Sequence, residues 1–203
     1  MTQLIRSRRL QRCERCGLST ELCFCASLPR LRTRTELVLL MHKNELAKTS
    51  NTGRLALAAL ERSRLSIRGQ LGLVQARPGP ERRLVLFPAP DARELGAADG
   101  AGDRPLTLVV PDGSWKQARR MLTREAWTSG AEVVRLPAPV PSRYDLRRQP
   151  HAGAVCTFEA VASALGVLEG ADVERALLQV LDAFLVRARH MRSSGGALGG
   201  HAG

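Results

Sequence analysis

Aromatic residues are scarce in this chain. They make up 3% of its 203 residues, with two Trp, one Tyr and four Phe. Leu, Val and Ala must therefore supply the core, and an apolar fraction of 44% allows a substantial one. The length suits one domain, or one domain with a small appendage. No apolar run approaches the ~20 residues needed to cross a bilayer as a helix. The basic stretch Met1–Arg12 runs into cysteines rather than into an apolar signal core, so a cytoplasmic protein is expected. Acidic residues are also few: 19 Asp and Glu stand against 31 Lys and Arg, a net charge of +12. Such an excess speaks to partners rather than fold, and its usual partner is nucleic acid. A GC-rich coding sequence, which raises arginine everywhere, is the plainer explanation. Three catalytic signatures are missing: Gly-x-Gly-x-x-Gly, a Gly-Lys-Ser/Thr phosphate loop and a Gly-x-Ser-x-Gly elbow. Neither a dinucleotide fold, a P-loop nor a hydrolase nucleophile is therefore signalled.

What is present alternates between strand and helix. Thr35–Met41 is an apolar run that reads as a buried strand, and Thr49-Ser50-Asn51 is capping chemistry before a helix over 52–62. Leu71–Gln75 reads as a weak strand, Arg77–Arg83 as a loop, and Leu84–Phe87 as a strand stopped by Pro88. Asp91–Arg104 reads as a short helix followed by a loop. Leu106–Val110 is a strand that Pro111 should end, because proline lacks the N–H a ladder uses. A helix from Trp115 to Leu122, a strand over Ala131–Leu136, a helix over Cys156–Leu168 and a long final helix with Asp172 as its cap complete the series. On that last helix Leu177, Leu181, Phe184, Ala188 and Met191 share one face. The alternation predicts an α/β fold with a mostly parallel sheet. Residues 1–34 form a basic, cysteine-bearing leader, 35–192 the main domain, and 193–203 a glycine-rich tail expected to be disordered.

Two stretches carry chemistry. Cys13, Cys16, Cys23 and Cys25 hold four of the five cysteines within one short segment. Four thiolates that close in sequence can enclose a tetrahedral zinc ion. A disulfide reading needs an oxidising compartment, and a redox reading of Cys13-x-x-Cys16 leaves the other two unexplained. Arginines around the cluster, Arg8 and Arg12 among them, would suit phosphates. The second stretch is Asp112-Gly113-Ser114-Trp115. It joins a buried strand to a helix and so puts helix N–H groups, an acid, a hydroxyl and an aromatic plate at the ligand edge of the sheet. The same residues also suit a plain turn, an N-cap and a core filler. Asn51, Thr52 and Gly53 offer donors and a close backbone, or only a helix cap. Arg143-Tyr144-Asp-Leu-Arg147 is a basic loop with one ring able to stack on a base, or a solvated loop.

In order and spacing, these motifs resemble the DTW-domain family. The residues that carry the resemblance are the N-terminal Cys-x-x-Cys and Cys-x-Cys, Glu45 with Ser50-Asn51-Thr52-Gly53, and Phe87-Pro88. With them go Asp112-Gly-Ser-Trp115 and Gln117-Ala118, Arg143-Tyr144 with Arg147, and Thr157-Phe-Glu159-Ala. Ser114 stands where the family pattern Asp-x-Thr-Trp has Thr, and the hydroxyl is kept. The resemblance runs from about Arg12 to about Leu168. It implies a SPOUT-like α/β domain with a trefoil knot, helices on both faces of the sheet, and a small zinc-binding N-terminal segment. The implied activity is transfer of the 3-amino-3-carboxypropyl group of S-adenosylmethionine to N3 of a tRNA uridine, with methylthioadenosine released. It points to Asp112, Ser114 and Trp115 as catalytic. Asn51, Thr52, Gly53, Phe87, Pro88, Asp112, Gly113, Ser114, Leu136, Thr157 and Glu159 would hold S-adenosylmethionine. Arg8, Arg12, Arg143, Tyr144 and Arg147 would meet RNA. Two rival expectations share these residues: a SPOUT-type methyltransferase using the same donor, and a non-catalytic zinc-bearing RNA-binding module.

Overall fold

The computed structural model describes residues 11–69, 78–137, 142–146 and 154–193. Its centre is one sheet of six strands, all parallel among the described residues. They are β1 (Glu36–His42), β2 (Ser63–Arg68), β3 (Arg82–Leu86), β4 (Arg93–Glu94), β5 (Leu106–Asp112) and β6 (Glu132–Arg135), in the spatial order β2-β1-β5-β3-β6-β4. Five helices accompany them: α1 (Lys43–Leu46), α2 (Gly53–Ala59), α3 (Trp115–Arg124), α4 (Thr157–Glu169) and α5 (Ala171–Ser193).

The central strands are apolar on both faces because both faces are covered. Leu37, Leu39 and Met41 of β1, with Leu106, Leu108 and Val110 of β5, pack under α2, α4 and α5. The alternate residues Val38, Leu40 and Val109 meet Met121 of α3 and the buried Trp127 on the other side. The five residues singled out on α5 from sequence, Leu177 to Met191, are all buried. Residues 11–31 do not stand apart. Cys16, Leu18, Phe24 and Leu28 join the larger core, and Leu31 bridges Leu60.

Several elements depart from the sequence expectation. Proline does not end β5: the strand continues through Pro111 to Asp112, paired with Leu40 and Met41 of β1. The ladder to β3 has already stopped at Val109, so that flank of Pro111 asks for no N–H donor. The α2 helix ends at Ala59, short of the expected 62, because Leu60 turns extended and Ser63–Arg68 becomes an edge strand beside β1. The expected helix after Asp91 is instead β4 and a 3-10 turn at Ala97–Gly100. There Arg93 is clamped by Asp99 and Glu132, so cross-strand pairing and ion pairs override a weak helix preference. Leu71–Gln75 lies outside the described residues. No described helix is long and apolar enough to cross a membrane.

Parallel strands put all their carboxyl ends on one edge. From β1 the chain moves outward to β2 on one side, and from β3 it moves outward to β4 on the other, with β5 seated between. The end of β5 therefore lies where neighbouring connections diverge, the place where open α/β sheets bind ligands.

Candidate active site

Asp112 is the last residue of β5 and is 5% exposed. Its Oδ2 accepts a hydrogen bond from Asn51 Nδ2 at 2.6 Å, and its Oδ1 accepts one from Thr157 Oγ1 at 2.6 Å. Three elements thus converge on one carboxylate: the strand end, the loop before α2 and the first residue of α4. Thr52 Oγ1 accepts from the backbone N–H of Phe158 at 3.3 Å, tying the same loop to α4 a second time. Gly53 is fixed by space. A Cβ there would lie 2.7 Å from Leu39 Cδ2 and 3.0 Å from Asp112 Oδ2, so a side chain would push on the carboxylate. Asn51 is 3% exposed, and its Oδ1 has no hydrogen-bond partner among the described residues. A buried acceptor left unpaired beside a carboxylate invites an N–H-bearing ligand.

The turn after Asp112 leads into α3. Ser114 caps that helix, accepting from Gln117 N at 3.4 Å while Gln117 Oε1 accepts from Ser114 N at 2.8 Å. This reciprocal pair is a capping box and fixes the angle at which α3 leaves the sheet. Trp115 is 40% exposed and meets Phe87 edge to face, with centroids 5.7 Å apart. Phe87 itself is buried at the end of β3, and Pro88 beside it is exposed. Leu136 is half-buried just past β6 and packs against the larger core. Phe87, Asp112 and Leu136 thus end or follow parallel strands on one edge of the sheet, and Asn51, Gly53 and Thr157 meet Asp112 there. Gln117 and His42 were not among the residues expected at the donor site. His42 Nδ1 accepts from Asn44 N at 3.2 Å and lies 3.3 Å from Gln117 Nε2. Burial, and then the charge of Arg68, lowers the His42 pKa below the ordinary histidine value. At neutral pH the ring is therefore uncharged, with its proton on Nε2.

Glu159 does a different job from the one expected. It is 1% exposed, and its two oxygens accept from Cys156 N, Ser142 Oγ, Arg143 N and Tyr144 N at 2.5–3.2 Å. It holds the 142–144 segment against the start of α4. Tyr144 has a core position rather than a surface one: it is 4% exposed, and its hydroxyl donates to Ser50 O at 2.7 Å. That ring braces the loop before α2 and is not presented for stacking on a base. Arg143 pairs with Asp182 at 2.8 Å. The Arg12 guanidinium contacts Gly17 O and Met191 Sδ. Arg8 and Arg147 lie outside the described residues.

The four N-terminal cysteines also converge. Their sulfurs lie within 4.8 Å of one another, with Cys13 and Cys25 at 3.7 Å. A tetrahedral zinc with Zn–S near 2.3 Å needs sulfurs ~3.8 Å apart, so the four thiols have the spacing of such a site. A left-handed Gly17 (φ 77°) closes the turn that brings Cys13 and Cys16 together, with Gly17 N donating to Cys13 O. Burial raises the Cys13 thiol, but backbone N–H groups of Cys16 and Arg15 outweigh it and bring the pKa down to about 7. Burial pushes Cys16 up to about 11. Cys156, outside this group, is pushed up to about 12 by burial, which makes it an unreactive thiol at neutral pH.

A family model described as the DTW domain matches residues 10–189. The chain belongs to the DTW-domain family. Among curated proteins it is 30% identical over 216 residues to tRNA-uridine aminocarboxypropyltransferase A of Arabidopsis thaliana, covering 85% of this chain and 79% of that one. It is 28% identical over 172 residues to tRNA-uridine aminocarboxypropyltransferase 2 of Drosophila melanogaster, covering 79% of this chain and 68% of that protein. With the Macaca fascicularis protein of the same name it shares 27% over 193 residues, and the match spans 63% of that relative's length. Among solved structures, the SAM-dependent rRNA:acp-transferase from Vulcanisaeta distributa superposes with a TM-score of 0.50 at 19% identity, covering 78% of this chain and 80% of that one. That likeness shows a shared fold. In the connection from β6 to α4, residues 138–141 and 147–153 lie outside the described residues.

Proposed function

We propose that this DTW-domain protein is a tRNA-uridine aminocarboxypropyltransferase. It moves the 3-amino-3-carboxypropyl group of S-adenosylmethionine to N3 of a uridine. The observation that supports this most is the Asn51–Asp112–Thr157 arrangement. It places a buried carboxylate and an unpaired amide oxygen side by side, on residues that carry the family's motifs, at the ligand edge of the sheet. Both groups are acceptors, and the reaction brings two N–H species to them: the ammonium of the donor and N3–H of the base.

When bound, S-adenosylmethionine supplies a carbon activated by its sulfonium: that S–C bond breaks as the N3–C bond forms, and sulfur keeps the electron pair in methylthioadenosine. The protein's part is binding and proton handling. Asp112 takes the N3 proton as general base, a role typically worth ~10²–10⁴ in rate. Asn51 Oδ1 receives an N–H of the donor. The start of α3, with Gly113 and Ser114, presents the positive end of a helix to the donor's carboxylate. Thr52, Gly53, Phe87, Pro88 and Leu136 shape the pocket around it. Thr157 orients Asp112, and Glu159 acts one step further out by fixing the 142–144 segment. Trp115 covers the reacting base. Cys13, Cys16, Cys23 and Cys25 would hold one zinc, which would cross-link residues 13–25 into the unit that packs on α5 and leave no open position for water. The protein works in the cytoplasm, and RNA is drawn to it by the basic surface, Arg8, Arg12 and Arg147 included, while Arg143 is held by Asp182.

The test is incubation of the purified protein with tRNA and S-adenosylmethionine, with the by-product and the nucleosides identified by mass spectrometry. Methylthioadenosine with a uridine heavier by one aminocarboxypropyl group is the expected result. Release of S-adenosylhomocysteine would instead assign a methyltransferase. RNA binding without any turnover would leave only a binding module.

A further inference from the structure

We infer that the outer face of α3 is a track for the RNA strand leading to the active site. The inference rests on the transferase reading for the identity of the site at its head. The ten-residue helix contains no acidic residue. Ala118 and Met121 face the sheet and are buried, while Lys116, Arg119, Arg120, Thr123 and Arg124 are exposed at spacings of three and four, one stripe along the helix. None of these four cations has a carboxylate within ion-pairing distance among the described residues. By contrast Arg64, Arg68, Arg93 and Arg143, on other elements, are each neutralised by an acid at 3.0 Å or less. The one nearby acid, Glu125, is taken by Arg68 at 2.9 Å. Positive charge is therefore concentrated on this face, while much of the remaining arginine is spent on internal pairs.

The stripe also leads somewhere. Its N-terminal end is Trp115, exposed and braced by Phe87, three residues beyond the buried Asp112. Trp115, Lys116, Arg119, Arg120, Thr123 and Arg124 together line one shallow groove. An indole at the catalytic end and a row of cations running ~15 Å away from it is the combination that binds a nucleic-acid strand, with the ring for a base and the cations for successive phosphates. An acidic protein surface or an anionic membrane would meet the charges but leave the ring at the catalytic edge without a role. Lys116, Arg119, Arg120 and Arg124 thus join the RNA contacts expected from sequence in the leader and the 143–147 loop.

The experiment compares the wild-type chain with Arg119→Ala/Arg120→Ala and with a control pair, Arg30→Ala/Arg104→Ala, which removes the same charge from exposed sites on other elements. Alanine favours helix, and neither α3 arginine side chain packs in the core, so the fold should hold. Affinity for tRNA is measured across a salt series, S-adenosylmethionine affinity in parallel. Each lost phosphate contact lowers the slope of log affinity against log salt by ~0.7–0.9, so the α3 pair should lower it by about 1.5 and weaken binding about tenfold or more at low salt. S-adenosylmethionine affinity should not change, and the control pair should have a much smaller effect. Equal losses in both pairs would mean diffuse attraction to net charge and overturn the track. So would tRNA affinity unmoved by the α3 pair, including the case in which only binding to phosphatidylserine vesicles suffers. A wild-type protein that releases no methylthioadenosine, yet loses tRNA binding selectively in the α3 pair, would refute the transferase reading and leave the RNA track standing.

Discussion

Replacing Asp112 by Asn separates chemistry from folding at the point where three elements meet. The carboxylate accepts from Asn51 Nδ2 and Thr157 Oγ1, both at 2.6 Å. In the variant the amide oxygen must face Asn51 Nδ2, which can only donate. The amide nitrogen then faces the Thr157 hydroxyl, which can rotate and accept. Both bonds survive, but as neutral ones. A hydrogen bond to a charged group is worth about 1.5–3 kcal/mol and a neutral one about 0.5–1.5, so the two together typically lose about 2–3 kcal/mol. Burying an amide rather than an ion returns part of that, which leaves a net cost of ~1–2 kcal/mol. For a chain of this size that is a fall in Tm of roughly 2–8 °C, and the protein stays folded. Asp112→Ala is the less useful variant, because it strands two buried donors at about 1–3 kcal/mol each. Turnover is a different matter: Asn cannot take a proton, so single-turnover modification of tRNA should slow by ~10²-fold or more. The assay is single-turnover kinetics with S-adenosylmethionine affinity and thermal denaturation measured on the same preparation. Unchanged donor affinity with the large rate loss assigns the base. A smaller rate loss with weakened donor binding assigns Asp112 to orienting the donor. Near-wild-type turnover in a folded variant would refute both roles, and an unfolded variant would refute the hydrogen-bond accounting.

Three other outcomes are expected. Gly53→Ala, whose Cβ would sit 2.7 Å from Leu39 Cδ2 and 3.0 Å from Asp112 Oδ2, should cost about 1–3 kcal/mol in denaturant titrations and reduce turnover by more than that loss of fold explains. Purified protein should carry about one zinc per chain by elemental analysis. Cys16→Ser should lose the metal and lower Tm by several degrees, since Leu18, Phe24 and Leu28 lose the staple that keeps them in the core; a metal-free protein of unchanged Tm would count against the site. The Arg93 guanidinium holds Asp99 well below the usual carboxylate range, against the opposing effect of burial and with help from Gly96 N–H and Arg82. A depressed folded-state pKa gives stability that is full above the unfolded value near 4 and is lost as pH falls toward the folded one. The wild type should therefore lose stability more steeply than Asp99→Asn from about pH 5 downward in chemical denaturation; parallel curves would refute the linkage.

The strands at the centre of the sheet were legible because they are buried on both faces, which leaves runs such as Leu37–Met41 and Leu106–Val110 apolar throughout. The edge strands were not. The burial of β2 and β4 is partial or nil: Ser63–Arg68 has only Leu65 and Ile67 among polar residues, Arg93–Glu94 has no apolar residue, and hydrogen-bonding to a neighbour makes both strands. Pro111 misled for a related reason: whether a missing N–H matters depends on whether a partner strand still runs alongside, and β3 has ended by then.

The cysteine cluster and the Asp112–Trp115 turn were determined by sequence alone, since their residues are close enough along the chain for local geometry to bring them together. The carboxylate's setting was decided only by the tertiary structure. Asn51 and Thr157 lie 61 and 45 residues from Asp112, and no local pattern says that their side chains meet on its two oxygens. The same holds for Tyr144, whose basic neighbours suggest a surface ring, while its hydroxyl is used inside, on Ser50 O. It holds also for the charge. Composition counts every arginine alike, but only folding decides which are neutralised by an acid across the sheet and which, on α3, are left facing solvent. A side chain's chemistry is written in the sequence; its free energy in place depends on which partners and how much water surround it, and packing alone sets both.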